Sequence, residues 1–208
     1  MTENVILAGG GRHALSLGTM LEDAGRHILG YTDLQKTKLK WKYLGTDAQA
    51  STARFPENTY VIVAVGTDTR LREKIYQYYA ATKISFLTFR HPQSYVASSA
   101  KLGEGCVLYP HTFAGADVVL GRNVHLCAGA VVEHGTVIGD HSYLAPGTVI
   151  AGNVKAGSNC LFGANSTVME SIHIADDTRL GAASFLLRSV ELPGQIYAGV
   201  PAVRLEKS

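Results

Sequence analysis

The chain has 208 residues, of which 46% are hydrophobic and 17% are charged, and its formal net charge is +2. A chain of this size and composition can bury one large core or two small ones, and its mixed-sign charge gives no basic footprint for nucleic acid. No apolar run approaches the roughly 18 residues that span a bilayer, and the N-terminus lacks a signal-peptide pattern. We therefore expect a cytoplasmic protein without membrane insertion.

Three cysteines occur without CxxC spacing, at Cys106, Cys127 and Cys160. This sparse, odd set favours neither a disulfide framework nor a zinc ribbon, so we expect free thiols.

The N-terminal part of the chain alternates short apolar strands with helices. The pattern predicts strands at 4–8, 27–32, 60–65 and 84–88, and helices at 14–24 and 69–81. Such alternation predicts a parallel sheet, whose ligands bind at the carboxyl ends of the strands. Three sequence features fall at that edge, namely Gly9-Gly10-Gly11, Asp33 and Gly66.

The glycine turn is the candidate nucleotide site of this domain. Glycine lets the backbone approach a phosphate, the N–H groups at a helix start can receive its charge, and Asp33 could accept hydrogen bonds from a ribose or a base. A purely structural tight turn is the alternative, because Arg12-His13-Ala14 stands where GxGxxG would have its last glycine. The alternating lysines between Lys36 and Lys42 are typical of a solvated basic face.

The sequence period changes to six residues shortly after His91-Pro92. Because proline disfavours the continuation of a regular element, we place the boundary there, between a domain of residues 1–91 and a domain of residues 92–208.

Every sixth residue from Val96 to Leu180 is apolar, at fifteen positions without an insertion. Four places later in each hexad stands a small or β-branched residue, from Ala100 to Ser184. This lattice predicts a parallel β-helix with one short strand per hexad and three hexads per coil. The fifteen hexads from Val96 to Phe185 thus predict about five coils.

Together with this lattice, the segment Val132-Glu133-His134 and the tail Tyr197-Ala198-Gly199-Val200-Pro201-Ala202 resemble the hexapeptide-repeat acyltransferases. The chain resembles in particular the two-domain branch that acetylates amino groups on nucleotide-linked sugars, over nearly its whole length. The resemblance implies an α/β Rossmann-like N-terminal domain for the nucleotide sugar, followed by an all-β left-handed parallel β-helix. It also implies acetyl-CoA as co-substrate without a metal, and a homotrimer with active sites between neighbouring prisms.

The resemblance also assigns roles to individual residues. His134 would be the general base, and Glu133 is the candidate carboxylate beside it, because Gly135 replaces the acidic residue that often follows the histidine. The acetyl-CoA slot would be bordered by Tyr143, Gly152, Ala164 and Ala182. The nucleotide pocket would be lined by Gly11, Arg12, His13, Asp33, Leu34 and Gly66. The family's usual residues are changed at Arg12 and Tyr143.

The period gives this assignment independent support, because residues 18 apart stack on successive coils. Ala116, His134 and Gly152 form one column, in which two minimal side chains flank an accessible histidine. A second column could hold the pantetheine arm and consists of Ala128, Pro146, Ala164 and Ala182. The alternative explanation of both columns is that the corners of a β-helix simply favour small residues. Four other histidines are interpreted as structural or surface residues, at His111, His125, His141 and His173.

The favoured function is N-acetylation of a nucleotide-linked amino sugar, for example a UDP-4-amino-4,6-dideoxy sugar, by direct attack with His134 as general base. Cys127 offers a rival route through an acetyl-thioester, without an obvious paired base. O-acetylation of a sialic-acid-type sugar is the nearer alternative, although it leaves the glycine turn and Asp33 without an obvious ligand. A metal-dependent hydratase would need three suitably spaced imidazoles, and a non-catalytic scaffold is a third class.

Overall fold

The computed structural model describes residues 3–206. The chain forms two compact units, Met1–Thr88 and Phe89–Ser208. The division lies three residues before the position expected from the sequence, because Phe89–Arg90 already pairs as a strand with Val107–Leu108.

The N-terminal unit is a parallel sheet flanked by helices. Its elements are β1 (Asn4–Ala8), α1 (Arg12–Asp23), β2 (His27–Thr32), α2 (Asp47–Ser51), β3 (Thr59–Val63), α3 (Thr69–Ala80) and β4 (Ser85–Phe86). The strands follow the order β2-β1-β3-β4 and are all parallel, which confirms the predicted α/β domain. The unpredicted helix α2 has only five residues, too few for a periodic signal, and it begins with a capping box between Thr46 and Gln49.

The inner strand β1 is apolar after Asn4, and it is buried from Val5 to Ala8. Helix α1 turns Ala14, Leu17 and Leu21 into the interior at helical spacing. Burial of one such leucine contributes about 1.5–3 kcal/mol, so these residues hold the carboxyl ends of the strands in a fixed arrangement.

The C-terminal unit is a parallel β-helix of two-residue strands. Its strands are β5 (Phe89–Arg90), β6 (Tyr95–Val96), β7 (Lys101–Leu102), β8 (Val107–Leu108), β9 (Phe113–Ala114), β10 (Val119–Leu120), β11 (His125–Leu126), β12 (Val131–Val132), β13 (Val137–Ile138), β14 (Tyr143–Leu144), β15 (Val149–Ile150), β16 (Lys155–Ala156), β17 (Leu161–Phe162), β18 (Thr167–Val168), β19 (His173–Ile174), β20 (Arg179–Leu180) and β21 (Phe185–Leu186). Two three-residue strands end the unit, β22 (Ile196–Ala198) and β23 (Val203–Leu205).

These strands form three sheets, one along each face of the prism. A five-stranded sheet runs from β7 to β19, a six-stranded sheet from β6 to β21, and an eight-stranded sheet from β5 to β23. From β8 to β20 the second residue of each strand points inward, and from Leu108 to Leu180 every one of them is buried. The small residues four places later, such as Cys106, Ala130 and Cys160, are buried beside them. The predicted β-helix is therefore confirmed.

The number of coils differs from the prediction of five, because the β-helix has about six turns. At its start, β5 continues the six-residue period, but Arg90 occupies the position that is apolar in later hexads and hides the strand in the sequence. At its end the period slips, since Val190 bridges Ile174 at an offset of 16 and Ile196 pairs with Arg179 at an offset of 17. Strict counting of hexads misses both extensions.

The corners of the β-helix use a left-handed residue at every sixth position. Positive φ angles recur from Gly105 to Ala183, at the third position after each inward apolar residue of the preceding strand. Glycine, asparagine and aspartate tolerate this conformation best, and they fill most of these positions. His111 and His141 stand at two of them, with φ angles of 60° and 62°. These two histidines therefore shape corners.

Across residues 3–206, no helix is both long and apolar enough to cross a membrane.

Candidate active site

His134 lies at the corner of the β-helix between the six-stranded and five-stranded sheets, because it follows β12 and precedes β13. Its side chain is 65% exposed, and its Nδ1 lies 3.6 Å from a carboxylate oxygen of Glu133. The backbone of the corner is held by the carbonyl of His134, which accepts from the N–H of Asn153, and by the N–H of Gly135, which donates to Ala116. A fixed backbone thus presents an exposed imidazole with a carboxylate on its Nδ1 side.

Gly152 stacks directly on His134, one coil further along the same corner. A Cβ placed on Gly152 would lie only 2.8 Å from both Cε1 and Nε2 of the imidazole. Any side chain at this position would therefore displace the ring. Among the hydrogen bonds of residues 3–206, none uses the N–H of Gly152 as donor. The predicted column of Ala116, His134 and Gly152 is thus a real stack, with the Nε2 edge of the imidazole against bare backbone.

Ala164 and Ala182 lie at a different corner, between the eight-stranded and six-stranded sheets. They stack with Ala128 and Pro146, so the second predicted column also exists. Within one chain, this corner and the His134 corner lie at opposite edges of the six-stranded sheet. The structure therefore does not bring Ala164 and Ala182 to His134 in a single chain.

Tyr143 lies apart from both corners. It is the first residue of β14 in the eight-stranded sheet, its side chain is 6% exposed, and its ring lies 6.2 Å from that of His125. The role of Tyr143 at the acetyl-CoA site stays a prediction.

The cysteines of the β-helix are free and buried. Burial raises the pKa of the Cys160 thiol to about 12, so this thiol stays protonated near neutral pH. Cys127 is 4% exposed. Neither environment is that of an activated nucleophile, which is electropositive and partly exposed.

The carboxyl edge of the N-terminal sheet collects the predicted nucleotide residues. Gly9 has a φ of 124°, which side chains rarely adopt, and a Cβ on Gly10 would lie 2.8 Å from the ring of Tyr31. These two glycines are required by the fold. At Gly11 the backbone is extended, with φ −85° and ψ −171°, and a Cβ would meet nothing within 4 Å. The fold therefore does not require glycine at position 11. Gly11 leaves the backbone at the start of α1 uncovered by a side chain.

Asp33 ties this turn to the end of β2. One carboxylate oxygen accepts from the N–H of Gly10 at 2.8 Å, and the other accepts from the N–H of Leu34 at 2.7 Å. Both contacts are to backbone, so Asp33 shapes the carboxyl edge of the sheet and keeps lone pairs that could accept from a ligand. Leu34 itself is 91% exposed.

His13 and Gly66 meet across two turns of the same edge. A Cβ on Gly66 would lie 3.6 Å from the imidazole of His13. Burial and the positive charge of Arg72 lower the pKa of His13 to about 4, so its side chain is neutral at physiological pH. Arg12 is exposed at the start of α1.

Arg72 is the residue of this region that sequence reasoning missed. It lies on the inner face of α3 with Thr69, Ile75, Tyr76 and Tyr79, and it is fully buried. An arginine at a position of the helical period otherwise occupied by apolar and hydroxyl side chains was the signal that could have found it. In the described part of the chain, no group of three or more His, Cys, Asp or Glu side chains is arranged to hold a metal ion.

Three family models match the chain. The PglD N-terminal domain matches residues 4–79, the bacterial transferase hexapeptide (six repeats) matches residues 117–152, and the hexapeptide repeat of succinyl-transferase matches residues 153–188. A search of curated protein sequences gives no match.

Solved structures of similar proteins superpose along the whole chain. PerB from Caulobacter crescentus, in complex with CoA and GDP-perosamine, is 28% identical with a TM-score of 0.91, covering 99% of this chain and 98% of that one. The acetyltransferase domain of PglB from Neisseria gonorrhoeae FA1090 is 23% identical with a TM-score of 0.90, covering 98% and 100%. WeeI from Acinetobacter baumannii AYE is 18% identical with a TM-score of 0.86, covering 99% and 100%.

The order of the matched models is the order of the two units, and the relative above 25% identity shares both units from end to end. The chain therefore carries a PglD N-terminal domain followed by hexapeptide repeats of the bacterial transferase type, and these matches support its assignment as an acyltransferase.

Proposed function

We propose that the chain transfers an acetyl group from acetyl-CoA to the amino group of a nucleotide-linked amino sugar. The observation that carries this proposal is the exposed imidazole of His134, set between the carboxylate of Glu133 and the bare backbone of Gly152. PerB, a full-length structural relative, binds CoA together with GDP-perosamine. A UDP-linked 4-amino-4,6-dideoxy sugar is the substrate class proposed here.

In the proposed reaction, Nε2 of His134 takes the proton from the sugar amine as the nitrogen attacks the thioester carbonyl. A carboxylate oxygen of Glu133 lies 3.6 Å from Nδ1, on the other side of the ring from the proposed reaction. Charge develops on the carbonyl oxygen, and the N–H of Gly152 is the donor we assign to it. The C–N bond forms first, and the C–S bond breaks as the oxyanion collapses. The imidazolium then returns the proton to the CoA sulfur, so CoA leaves as the thiol and no acyl-enzyme is needed.

The six-stranded face supports a trimer as the working form. Its outward residues are all uncharged, namely Tyr95, Phe113, Val131, Val149, Thr167 and Phe185. The rings of Tyr95 and Phe113 stack at 5.0 Å although Tyr95 is 56% exposed. The corners of His134 and Ala164 flank this face. A closed ring of three copies around it would place the His134 corner of one copy against the Ala164 corner of the next, which completes a slot that one chain lacks.

The direct test is a screen of UDP-, dTDP- and GDP-linked amino sugars with acetyl-CoA, in which released CoA thiol is followed. We expect one amino sugar to give turnover and an acetamido product of the matching mass. Free sialic-acid-type sugars belong in the same screen, because turnover with a hydroxyl acceptor alone would replace N-transfer by O-transfer. Light scattering checks the assembly, and a fully active monomer would contradict it.

A cytoplasmic location is part of the same proposal. The three cysteines are free, as is usual in a reducing compartment.

A further inference from the structure

A buried positive charge lies behind the turn that connects β3 to α3. Arg72 has no exposed surface, although arginine is among the residues least often found in such a position. Burial of a charge is expensive unless the charge makes strong contacts. One of these contacts is visible, since Nη1 of Arg72 donates to the carbonyl oxygen of Val65 at 2.7 Å. Charge-assisted hydrogen bonds of this length are strong.

The contact of Arg72 fixes the backbone at the carboxyl edge of the sheet. Val65 directly precedes Gly66, and a Cβ on Gly9 would lie 3.1 Å from a methyl carbon of Val65. The β1–α1 turn and the β3–α3 turn are therefore packed together at Val65. Arg72 contacts the β3–α3 turn from the interior of the fold, where its own side chain has no exposed surface.

Arg72 also acts on the imidazole that lies over Gly66. His13 is partly buried there, and the charge of Arg72 adds to burial in lowering its pKa. A neutral imidazole has one donor and one acceptor nitrogen, whereas the guanidinium is always charged. The two side chains can thus offer an anion different interactions. Arg72 supplies the charge, and His13 supplies directed hydrogen bonds.

We propose that Arg72 is a positioning residue of the nucleotide-sugar pocket, which fixes the Val65–Gly66 backbone and supplies a buried positive charge behind it. This inference rests on the proposed function, because it needs a diphosphate at the carboxyl edge of the sheet. Arg72 acts through the Val65–Gly66 backbone and through its field, which is stronger in a low-dielectric interior than at the surface. It does not need to touch the ligand.

The test is calorimetric titration of the full chain with UDP, dTDP and GDP, using Arg72→Met and Arg72→Lys. Wild-type protein binds at least one of the three. Arg72→Met weakens that binding at least about tenfold, and Arg72→Lys restores it to within about threefold because it keeps the charge. Lys38→Met is the matched control, since this exposed lysine contributes little and only at low salt. The KM for acetyl-CoA stays at the wild-type value in all variants.

The outcomes separate the inference from the function on which it rests. If wild-type protein binds none of the three diphosphates, the proposed function fails at its nucleotide site. If wild-type protein binds one of them and Arg72→Met binds it equally well, the inference is overturned and the function stands. If Arg72→Lys is as weak as Arg72→Met, charge is not what Arg72 supplies, and the inference is again overturned.

A measurement on the wild-type chain covers the case in which Arg72→Met does not fold. The imidazole of His13 is followed by NMR in the presence of whichever of UDP, dTDP and GDP the wild-type chain binds, and it is assigned by its loss in His13→Asn. We expect it to remain neutral from pH 8 down to about pH 5, because its pKa is about 4 in the free protein. A protonated His13 above about pH 6 in the complex would contradict the division of roles.

Discussion

The two units hold their chemistry in opposite ways. In the β-helix, His134 is 65% exposed on a corner whose backbone repeats that of its neighbours. In the N-terminal unit, Asp33 and His13 contact segments that are far apart in the sequence, and Arg72 holds the turn that precedes its own helix. The β-helix presents an exposed candidate side chain on a repeated backbone. In the N-terminal unit, the candidate residues also make the contacts that hold the fold together.

This difference decides how substitutions should be interpreted. On the β-helix corner, the side chain of His134 can be removed without loss of packing, so a variant reports on chemistry alone. At the carboxyl edge of the N-terminal sheet, removal of Asp33 also frees the N–H groups of Gly10 and Leu34. Substitutions in the β-helix should therefore change activity without changing stability, whereas substitutions in the N-terminal unit should change both.

The largest effect is expected for His134→Ala. A positioned general base typically contributes about 10²- to 10⁴-fold, so kcat should fall at least about a hundredfold. The melting temperature and the mass in solution should not change, because the side chain is 65% exposed. Steady-state kinetics with the best acceptor of the screen measures the loss.

Two controls accompany that variant. His173→Ala removes an exposed histidine from the outward side of the five-stranded sheet and should keep full activity. Cys127→Ala should remain substantially active, since direct transfer needs no thiol. An acetylated Cys127 found by mass spectrometry, together with an active His134→Ala enzyme, would overturn the mechanism.

The next effect concerns the faces of the prism. Val149 on the six-stranded face and Val137 on the five-stranded face are both 36% exposed, so they form a matched pair. Lysine at position 149 would bury a charge in the proposed trimer contact, so Val149→Lys should lower the mass in solution and reduce activity at least about tenfold. Val137→Lys should leave both at wild-type values. Equal behaviour of the two variants would remove the six-stranded face from the assembly.

The β-helix was predictable because its local and long-range signals coincide. From Leu108 to Leu180, every inward position named by the six-residue period is buried, and residues 18 apart stack as expected. His134 was conspicuous for the same reason, since it interrupts a column of small residues. The prediction was short by about one turn because Arg90 breaks the apolar rule and because the period slips after Leu186.

The N-terminal pocket was predictable only in outline. Strand ends placed Asp33 and Gly66 at one edge, but no local signal shows that Gly9 and Gly10 are required by the fold whereas Gly11 is not. That distinction depends on Tyr31 in β2 and on Val65 in the β3–α3 turn. Arg72 escaped because its role is defined by the carbonyl of Val65, a backbone atom seven residues away.

Gly152→Ala should have a smaller, local effect on the β-helix site. The added methyl would lie 2.8 Å from the His134 ring and must push it aside, so kcat should fall about tenfold with little change in the KM for the amino sugar. A double-mutant cycle isolates the cause. In the His134→Ala background, Gly152→Ala should cost almost nothing further, and an undiminished loss there would show that the ring is not what the methyl disturbs.

Asp33→Ala should act on binding in the other unit. It removes the acceptor that orients the N–H of Gly10, so the KM for the nucleotide sugar should rise about five- to tenfold while the KM for acetyl-CoA stays nearly constant. Asp33→Asn keeps one acceptor oxygen and should lie in between. If both constants remain at wild-type values in Asp33→Ala, the carboxylate serves only the end of β2 and the nucleotide binds elsewhere.

His13 should have no effect on the pH dependence of stability near neutral pH and a growing effect as pH falls. Its pKa is about 4 in the folded chain against 6.5 for an ordinary histidine, because burial and Arg72 disfavour the charged ring. Above about pH 6.5 the ring is neutral in both states and contributes no pH dependence. Between pH 6.5 and 4, His13 is protonated in the unfolded chain but stays neutral in the folded chain. The free energy of unfolding of the N-terminal unit therefore decreases by up to about 3 kcal/mol. Denaturant unfolding at each pH should show this decrease in the wild-type chain and its loss in His13→Asn. Parallel curves for the two proteins would mean that His13 is as freely protonated as an exposed histidine, and the coupling between Arg72 and the pocket would lose its second support.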